Sequence, residues 1–347
     1  MSDETLDMTI KMIFECKNLN DKILINWHAG EPLMAGMEFY QKANDLIKQY
    51  CNKQVAVEQS IQTNGTLLNE KWCDFLKQSN IGVSVSLDGP EFIHNANRVN
   101  WGNRGSFDLV MRGIELLKKN QIPFYTLMVL TEKCLDYPGE LYNFFVEQEI
   151  TSFGFNVEEM TGSNVDSSLE DGQSLTQKYK SFIGKLADLW LKDPLLLGIR
   201  EFENISRSIF FSAKRDPFFY PYRIESTADI LTIKRNGDIV PFSPEMASGF
   251  DDDPNRFVVG NVHDINSLED IYINEKYKEM AKQIITGVNL CKQNCEYFSL
   301  CGGGNPGNKY YENKTFACTE TNHCRYCYQY ICDILLEKFA TQRPGTE

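Results

Sequence analysis

The feature that most constrains this chain is the alternation of apolar β-type runs and amphipathic helical stretches along its first half. Five β-type runs can be marked, at Lys22–Trp27, Ala56–Gln62, Gly82–Leu87, Pro123–Leu130 and Ser152–Val157. The helical stretches between them lie near Met37–Tyr50, Asn69–Gln78, Phe107–Lys119 and Pro138–Gln148. Alternation at this length is typical of βαβ units and predicts an α/β fold with a parallel sheet.

Polar turns follow most of these runs. Gly30 and Glu31 come after the first run, Thr63-Asn64-Gly65-Thr66 after the second, Asp88 after the third and Asn156 at the end of the fifth. Ligands of parallel α/β sheets bind at the carboxyl ends of the strands. The turns therefore predict a binding site at that edge, although Asp88 by itself is interpreted as a cap for the turn before Gly89-Pro90.

The pattern changes near residue 228. The stretch ADILTIKRNGDIVPF predicts a β-hairpin, with Asn236-Gly237 in a type I′ turn. A helix near Leu268–Ile284 then leads into a cysteine-rich tail. We expect two domains, residues 1–227 and residues 228–347.

Charge and composition exclude some partners. The chain has 347 residues and a formal net charge of -13, which repels a phosphate backbone. No apolar run approaches the ~20 residues of a membrane helix, and MSDETLDMTI has no basic region of a signal peptide. We expect a cytoplasmic protein that binds neither nucleic acid nor membrane.

Cysteines are concentrated at one end. Seven of the eleven fall after residue 290, and the odd total favours metal-binding thiolates over disulfides in a reducing compartment. Zinc and an iron–sulfur cluster both fit the spacing, and CGGGNPGNK can offer backbone amides to sulfur. Four isolated cysteines are interpreted as small buried apolar residues: Cys16, Cys51, Cys73 and Cys134.

Several motifs in order resemble one family. Gly-Glu-Pro after an early strand, QTNGTLL, SLDGP followed by HNANR, and the cysteine-rich end resemble a radical SAM enzyme with a SPASM domain. Longer stretches, WHAGEPLMAGMEFY, RVNWGNRGSFDLVMRGIELL, FGFNVEE, PFSPE and CEYFSLCGGGNPGNKYYENKTF, resemble the cyclophane-forming peptide maturases of the GrrM type. That family acts on glycine-rich ribosomal precursor peptides.

The resemblance implies roles for the strand-end residues. Gly30 and Glu31 would hold the amino group of S-adenosylmethionine (SAM), while Ser86 and Arg98 would reach its ribose and carboxylate. Asn156 and Val157 would border its adenosyl part. Ala29 stands where a glycine is more usual, and one added methyl group is expected to cost little.

The resemblance also implies a cluster loop that the sequence lacks. The family holds its SAM-cleaving [4Fe–4S] cluster on Cys-x3-Cys-x2-Cys after the first barrel strand, and Cys16 is the sole cysteine before Glu31. We expect a partial (β/α)6-type barrel without its first strand, followed by a SPASM-type domain. Five strands would be present where the family has six, and the SAM-cleaving cluster is expected only in an N-terminally extended form.

The cysteine tail implies one auxiliary [4Fe–4S] cluster at most. Its expected ligands are Cys291, Cys295, Cys301 and Cys324, with Cys318 as the competitor for the fourth place. The family's aspartate base is replaced by Ser243, which leaves Glu245 as the nearest candidate.

Three functions follow. The first is a maturase that installs cyclophane-type carbon–carbon cross-links in a ribosomally made precursor peptide, with a flavodoxin or ferredoxin as electron donor. The second is a non-catalytic peptide-binding paralogue or partner subunit with a structural metal site. The third is a zinc-stabilised binding protein.

Overall fold

A parallel sheet organises the first half of the chain. The computed structural model describes residues 1–52, 54–160, 164, 166–169, 172–210, 230–247 and 253–342. Six strands hydrogen-bond in chain order: β1 (Lys22–Trp27), β2 (Ala56–Thr63), β3 (Ile81–Ser86), β4 (Phe124–Leu130), β5 (Ser152–Val157) and β6 (Gly198–Ile199). The paired strands run parallel, with Lys22 opposite Ala56 and Val83 opposite Phe124. The predicted α/β class and parallel sheet are confirmed.

The expected count of five strands is wrong for the described residues. The additional strand, β6, contains two residues and pairs with Ser152 and Phe153 of β5. A run this short has no alternation that could distinguish it from a loop.

Helices precede, connect and follow these strands. They are α1 (Asp3–Glu15), α2 (Met37–Tyr50), α3 (Glu70–Gln78), α4 (Glu91–Asn97), α5 (Phe107–Lys119), α6 (Pro138–Glu147), α7 (Gln173–Trp190) and α8 (Arg200–Phe210). Side chains cap several of them: Ser2 accepts the Thr5 N–H at the start of α1, and Asn69 accepts the Trp72 N–H at the start of α3. Short 3-10 turns lie at Pro32–Ala35 and Glu132–Asp136.

A second, antiparallel sheet begins the cysteine-rich part. It consists of β7 (Leu231–Ile233), β8 (Asp238–Pro241) and β9 (Gly260–Asn261), and 3-10 turns lie at Pro244–Ala247 and Leu268–Ile273. Five helices follow: α9 (Glu275–Asn294), α10 (Phe298–Cys301), α11 (Pro306–Asn313), α12 (Asn322–Cys324) and α13 (Tyr330–Gln342), with a π-helical turn at Arg325–Gln329 before α13.

The hairpin exists, but its turn is not type I′. Gly237 has a φ of 91°, whereas Asn236 is not among the residues with positive φ. Lys234 accepts the Gly237 N–H and donates its own N–H to Asp238. This is the pattern of a three-residue loop with a glycine bulge, which requires left-handed backbone at a single position.

The chain divides into two compact units. One contains residues 18–156 and 185–200, which we call the sheet unit, and the other contains residues 1–17, 157–184 and 201–347, which we call the cysteine unit. The expected domain boundary between residues 227 and 228 lies outside the described residues. Within the cysteine unit, Met12 of α1 packs in one apolar core with Ile239, Val259 and Met280.

None of the helices in the described ranges is both long and apolar enough to cross a membrane.

Candidate functional site

The turn after β1 holds Glu31 in a fixed position. One carboxylate oxygen, Oε1, accepts the Leu33 N–H at 3.0 Å and the Thr63 hydroxyl at 2.7 Å, and the other, Oε2, accepts the Asn64 N–H at 2.8 Å. Thr63 ends β2, so this one side chain links the carboxyl ends of two neighbouring strands. A carboxylate has about four acceptor positions. Donors from the described residues use three of them, which leaves one on Oε2 for a further donor.

The backbone before Glu31 is left-handed at two successive residues. Gly30 has a φ of 60° and Ala29 a φ of 76°. The expectation that Ala29 costs little is wrong, because a Cβ in the left-handed region is destabilised by about 1 kcal/mol or more. The turn therefore carries strain at Ala29 beside the candidate site.

An aromatic cluster around Tyr40 contacts the segment that follows Glu31. The Tyr40 hydroxyl donates to the Pro32 carbonyl at 2.7 Å, and its ring makes edge contacts with Trp27 and Trp72. Burial and the Glu31 charge raise the pKa of Tyr40. The phenol stays neutral and acts as a fixed donor for the segment that carries Glu31.

Arg98 is held by the carboxylate of Asp88, the residue that the sequence predicts as a turn cap. Asp88 is buried and accepts Arg98 Nε at 2.6 Å and Nη2 at 2.9 Å, as well as the Val129 N–H at 2.9 Å. The turn-cap interpretation is therefore wrong. Among the described residues Nη1 of Arg98 has no hydrogen-bond partner, so a guanidinium in a fixed orientation keeps one donor nitrogen available.

A buried histidine supports the same segment. His94 Nδ1 accepts the Asp88 N–H at 3.3 Å, and Nε2 lies 3.0 Å from the Ser106 hydroxyl. Burial lowers the pKa of His94 to about 4, and the opposing effect of Asp88 is smaller. His94 is therefore neutral at pH 7, as the acceptor role of Nδ1 requires.

Ser86 and Asn156, two of the other predicted strand-end residues, have hydrogen-bond partners within the sheet unit. Ser86 accepts Gln62 Nε2 at 3.0 Å, and its hydroxyl hydrogen can still be donated. The Asn156 side-chain oxygen accepts Arg200 Nη2 at 2.7 Å, and the same nitrogen donates to the Phe155 carbonyl. Val157, the last residue of β5, is buried.

These groups fit the polar end of SAM. Its ammonium needs an acceptor, which the remaining position of Glu31 offers, and its carboxylate needs a donor, which Arg98 Nη1 offers. Glu31 follows β1 and Ser86 ends β3, and parallel strands present their carboxyl ends at one edge. Both Glu31 and Arg98 are fixed by hydrogen bonds to other residues of the chain.

Four of the predicted thiols are gathered in the cysteine unit. Cys291 lies near the end of α9, Cys295 follows it directly, Cys301 ends α10 and Cys324 ends α12. Three of them are nearly inaccessible, and Cys295 is half-buried. Burial raises the pKa of Cys301, and it raises the pKa of Cys324 to about 12, with the charges of Cys301 and Cys295 as the next causes.

The glycine loop supplies amides to the sulfur of Cys301. Backbone N–H groups of Gly303 and Gly304 hydrogen-bond to Cys301 and oppose the effect of burial on its pKa. Gly302, Gly303 and Gly304 all have positive φ, with values of 70°, 114° and 78°. A run of three left-handed residues is tolerable only for glycine.

The remaining tail cysteines are placed differently. Cys318 has Cys291 and Lys309 as electrostatic neighbours, whereas Cys324 has Cys301 and Cys295. Cys327 lies 3.6 Å from His323 Nδ1, outside this group. No three His, Cys, Asp or Glu side chains of the described residues are arranged as a site for a single metal ion.

The candidate base lies in a 3-10 turn of the cysteine unit. The Ser243 hydroxyl donates to Glu245 Oε2, and the Tyr311 hydroxyl donates to the Glu245 carbonyl at 3.4 Å. Phe242, just before them, is buried and stacks on Tyr277 with ring centroids 5.6 Å apart.

Sequence reasoning missed the residues that hold the site in place: Thr63, Asp88, Arg200 and Lys309. Thr63 and Asp88 lie in turns that the sequence marks as polar, so their positions indicate a site. The sequence does not indicate that Thr63 bonds to Glu31 or that Asp88 bonds to Arg98. Arg200 follows a strand too short to detect, and nothing in the sequence distinguishes Lys309 from a solvated lysine.

Comparison with known proteins is consistent with this geometry. A model of the radical SAM superfamily matches residues 2–145. The chain is 36% identical over 337 residues to an uncharacterized protein of Synechocystis sp., which covers 96% of this chain and 83% of that relative. It is 27% identical over 346 residues to a serine-type anaerobic sulfatase-maturating enzyme of Bacteroides thetaiotaomicron, covering 95% of this chain and 80% of the enzyme.

Solved structures share the fold. Native anSMEcpe with bound AdoMet superposes with a TM-score of 0.79 at 25% identity, covering 98% of this chain and 89% of that chain. Streptococcus suis SuiB bound to precursor peptide SuiA gives a TM-score of 0.60 at 15% identity over 94% and 69%, a likeness of fold alone. The radical SAM superfamily model matches the part of the chain that holds Glu31, Ser86 and Arg98, and relatives extend along nearly the whole length of the chain.

Proposed function

We propose that the chain is a SAM-binding peptide maturase whose reaction class is the formation of cyclophane-type carbon–carbon cross-links in a glycine-rich ribosomal precursor peptide. The observation that carries the SAM-binding part is Glu31, because its carboxylate is held across the ends of β1 and β2 with one acceptor position left. The Asp88–Arg98 pair supports the same role for the carboxylate end of SAM. The cross-linking part is supported by the five sequence stretches that resemble GrrM-type maturases.

The thiols of Cys291, Cys295, Cys301 and Cys324 would hold one auxiliary [4Fe–4S] cluster. A four-iron cluster places each thiolate on a different iron, so its ligands are spread more widely than those of a single ion. The assignment is supported by three buried thiols and the half-buried thiol of Cys295, and by Cys301 and Cys295 being electrostatic neighbours of Cys324. When bound, the cluster would supply one-electron transfer.

The peptide reaction balances as follows. One C–H bond breaks at a side-chain β-carbon and one at an aromatic ring carbon, one C–C bond forms, and two electrons and two protons leave the peptide. The hydrogen atom of the β-carbon would go to SAM, the second electron to the auxiliary cluster and the ring proton to Glu245, while a flavodoxin or ferredoxin in the cytoplasm would supply the electron that SAM requires. The sequence has no Cys-x3-Cys-x2-Cys motif for the SAM-cleaving cluster, so no residue of this chain is assigned to SAM cleavage.

The first test is SAM binding to the full chain, measured by calorimetry. We expect saturable binding, weakened roughly ten-fold or more in Glu31→Gln because a hydrogen bond to a charged group contributes ~1.5–3 kcal/mol. The matched control is Glu58→Gln, since Glu58 is an exposed carboxylate of β2 paired with Lys22. Equal affinities in all three proteins, or no binding at all, would contradict the proposal.

Sulfatase maturation is the second candidate. It is favoured by 27% identity to sulfatase-maturating enzymes along almost the whole chain. Co-expression with a glycine-rich precursor and, separately, with a sulfatase peptide distinguishes the two by mass spectrometry. The precursor should lose two hydrogen atoms and yield a fragment that joins two residues. A change confined to a cysteine or serine of the sulfatase peptide would favour the second candidate, and binding without change would favour the non-catalytic paralogue.

A further inference from the structure

A lysine lies buried against the thiol site. Lys309 is 3% exposed, and its ammonium nitrogen Nζ lies 3.4 Å from Cys291 Sγ. The same charge acts on the Cys318 thiol. Lysine is almost never buried to this degree unless a negative group accompanies it.

No carboxylate in the described part of the chain accounts for this lysine. Among the described residues no Asp or Glu forms an ion pair with Nζ, and the hydrogen bond from Nζ is to sulfur. Lys309 is also the fourth residue of α11, whose first turn favours negative rather than positive charge. Burial and helix position are both unfavourable for an ammonium, so a compensating negative charge has to come from the sulfur side.

The fold makes room for the side chain. A Cβ placed on Gly287 of α9 would lie 3.1 Å from Nζ, and one placed on Gly304 would lie 3.7 Å from Lys309 Cε. Asn305 caps α11 by accepting the Gly307 and Asn308 N–H groups, which fixes the turn from which Lys309 extends. The Lys309 ammonium is therefore held in a fixed position beside Cys291 Sγ, unlike the ammonium of a flexible surface lysine.

We propose that Lys309 is the built-in counter-charge of the cluster-binding thiolates and raises the reduction potential of the cluster that they hold. This inference rests on the proposed auxiliary cluster. Reduction adds one electron to an already anionic cluster, and a fixed positive charge beside a ligand sulfur stabilises the more negative state. Water and salt screen this interaction weakly, because both partners are buried.

The test compares full-length variants after anaerobic reconstitution. Iron and acid-labile sulfide are measured first, and the midpoint potential is then obtained by redox titration followed by electron paramagnetic resonance. We expect Lys309→Met to keep its cluster but to have a more negative potential than wild type, by the same shift at low and at high salt. Lys292→Met is the matched control, since Lys292 directly follows Cys291 but is exposed, and its potential should equal that of wild type.

Cluster assembly in the Lys309 variants separates the effect of charge from that of side-chain shape. If Lys309→Met fails to assemble the cluster while Lys309→Arg succeeds, a positive charge is required and the proposal stands. An unchanged potential in Lys309→Met would overturn the role of the lysine alone, and so would loss of iron from both variants, because shape and not charge would then matter. A wild-type chain that takes up no iron would overturn the auxiliary cluster and the lysine role together.

Discussion

The strand-end residues of the sheet unit and the thiols of the cysteine unit differ in what stabilises them within the protein. Glu31, Arg98 and Ser86 each have a hydrogen-bond partner from the chain itself. The thiols of Cys291, Cys301 and Cys324 are mainly buried together, and burial raises the pKa of the latter two. The first region is complete as a protein structure before any ligand binds. The second gathers thiols whose ionised form burial disfavours at Cys301 and Cys324.

The difference shows what each region needs from its ligand. A preorganised site loses little conformational entropy on binding, so its ligand adds affinity without being needed for the fold. A site of buried thiols gains folding free energy from the metal itself. Metal removal should therefore destabilise the cysteine unit, whereas the sheet unit should respond to the loss of its internal hydrogen bonds and to pH.

The largest expected effect is on the cysteine unit. Cys301→Ala should abolish the uptake of iron and sulfide, and the thermal stability of this unit should fall with it, because a ligand is lost and the other thiols are left unbound. Metal analysis and calorimetry measure both effects. Cys73→Ala is the control, as Cys73 is a buried cysteine of α3, and its metal content should equal that of wild type. Equal metal content in both variants would make the cluster assignment wrong.

In the sheet unit the strongest effect is expected at Asp88. Asp88→Ala should lower the free energy of unfolding by about 3 kcal/mol, because it leaves the partly buried Arg98 guanidinium and the Val129 N–H without their acceptor. Urea unfolding measures the loss, and SAM affinity should fall in parallel. Glu70→Gln, which removes an exposed ion pair with Lys119, should change neither quantity.

The pH response should come from His94. The unfolded chain takes up this proton below about pH 6.5, whereas the folded histidine, with a pKa of about 4, stays neutral. Protons therefore favour the unfolded state, and stability is lost as the pH falls from 6.5 towards 4. Between pH 7 and pH 5 the loss should be about 2 kcal/mol.

His94→Gln should remove most of that slope in urea unfolding at the two pH values. His28→Gln is the control, because His28 is exposed in the same unit. A slope that survives in His94→Gln, or that disappears in His28→Gln, would show that another group is responsible.

The smallest effect is expected at Ala29. Ala29→Gly should stabilise the chain by about 0.5–1 kcal/mol, because relief of the left-handed backbone exceeds the added entropy of the unfolded state. The same substitution at Ala56, an exposed residue of β2 without positive φ, should be destabilising. If both substitutions destabilise, the strain assigned to the turn before Glu31 is absent.

Periodicity was sufficient to predict the sheet but not its last strand. The runs from Lys22 to Val157 alternate or stay apolar long enough to be recognised, and their polar ends marked Glu31 and Ser86. Gly198 and Ile199 form a strand only because β5 offers them a partner. The hairpin at Asn236-Gly237 was found, but its turn type depends on the φ of a single residue.

The hydrogen-bond partners of the site residues were harder to predict from the sequence than the positions of those residues. Glu31 meets Thr63 because β1 and β2 pair in one particular register, and Asp88 meets Arg98 across a helix and a turn. Neither separation is a local pattern that sequence periodicity reports. Lys309 shows the same limit most clearly, since a lysine is expected in solvent unless the fold encloses it.

Helix α1 has a consequence for the order in which the chain folds during synthesis. Thr5 bonds to His263 and the Lys17 N–H bonds to Glu269, across more than 250 residues of sequence. At the usual rate of translation the helix leaves the ribosome roughly 10 to 50 s before these partners are made. Until then Met12 and its neighbours have no core to enter. Helix α1 is thus completed well after it is synthesised, and a chaperone has that interval in which to protect its apolar face.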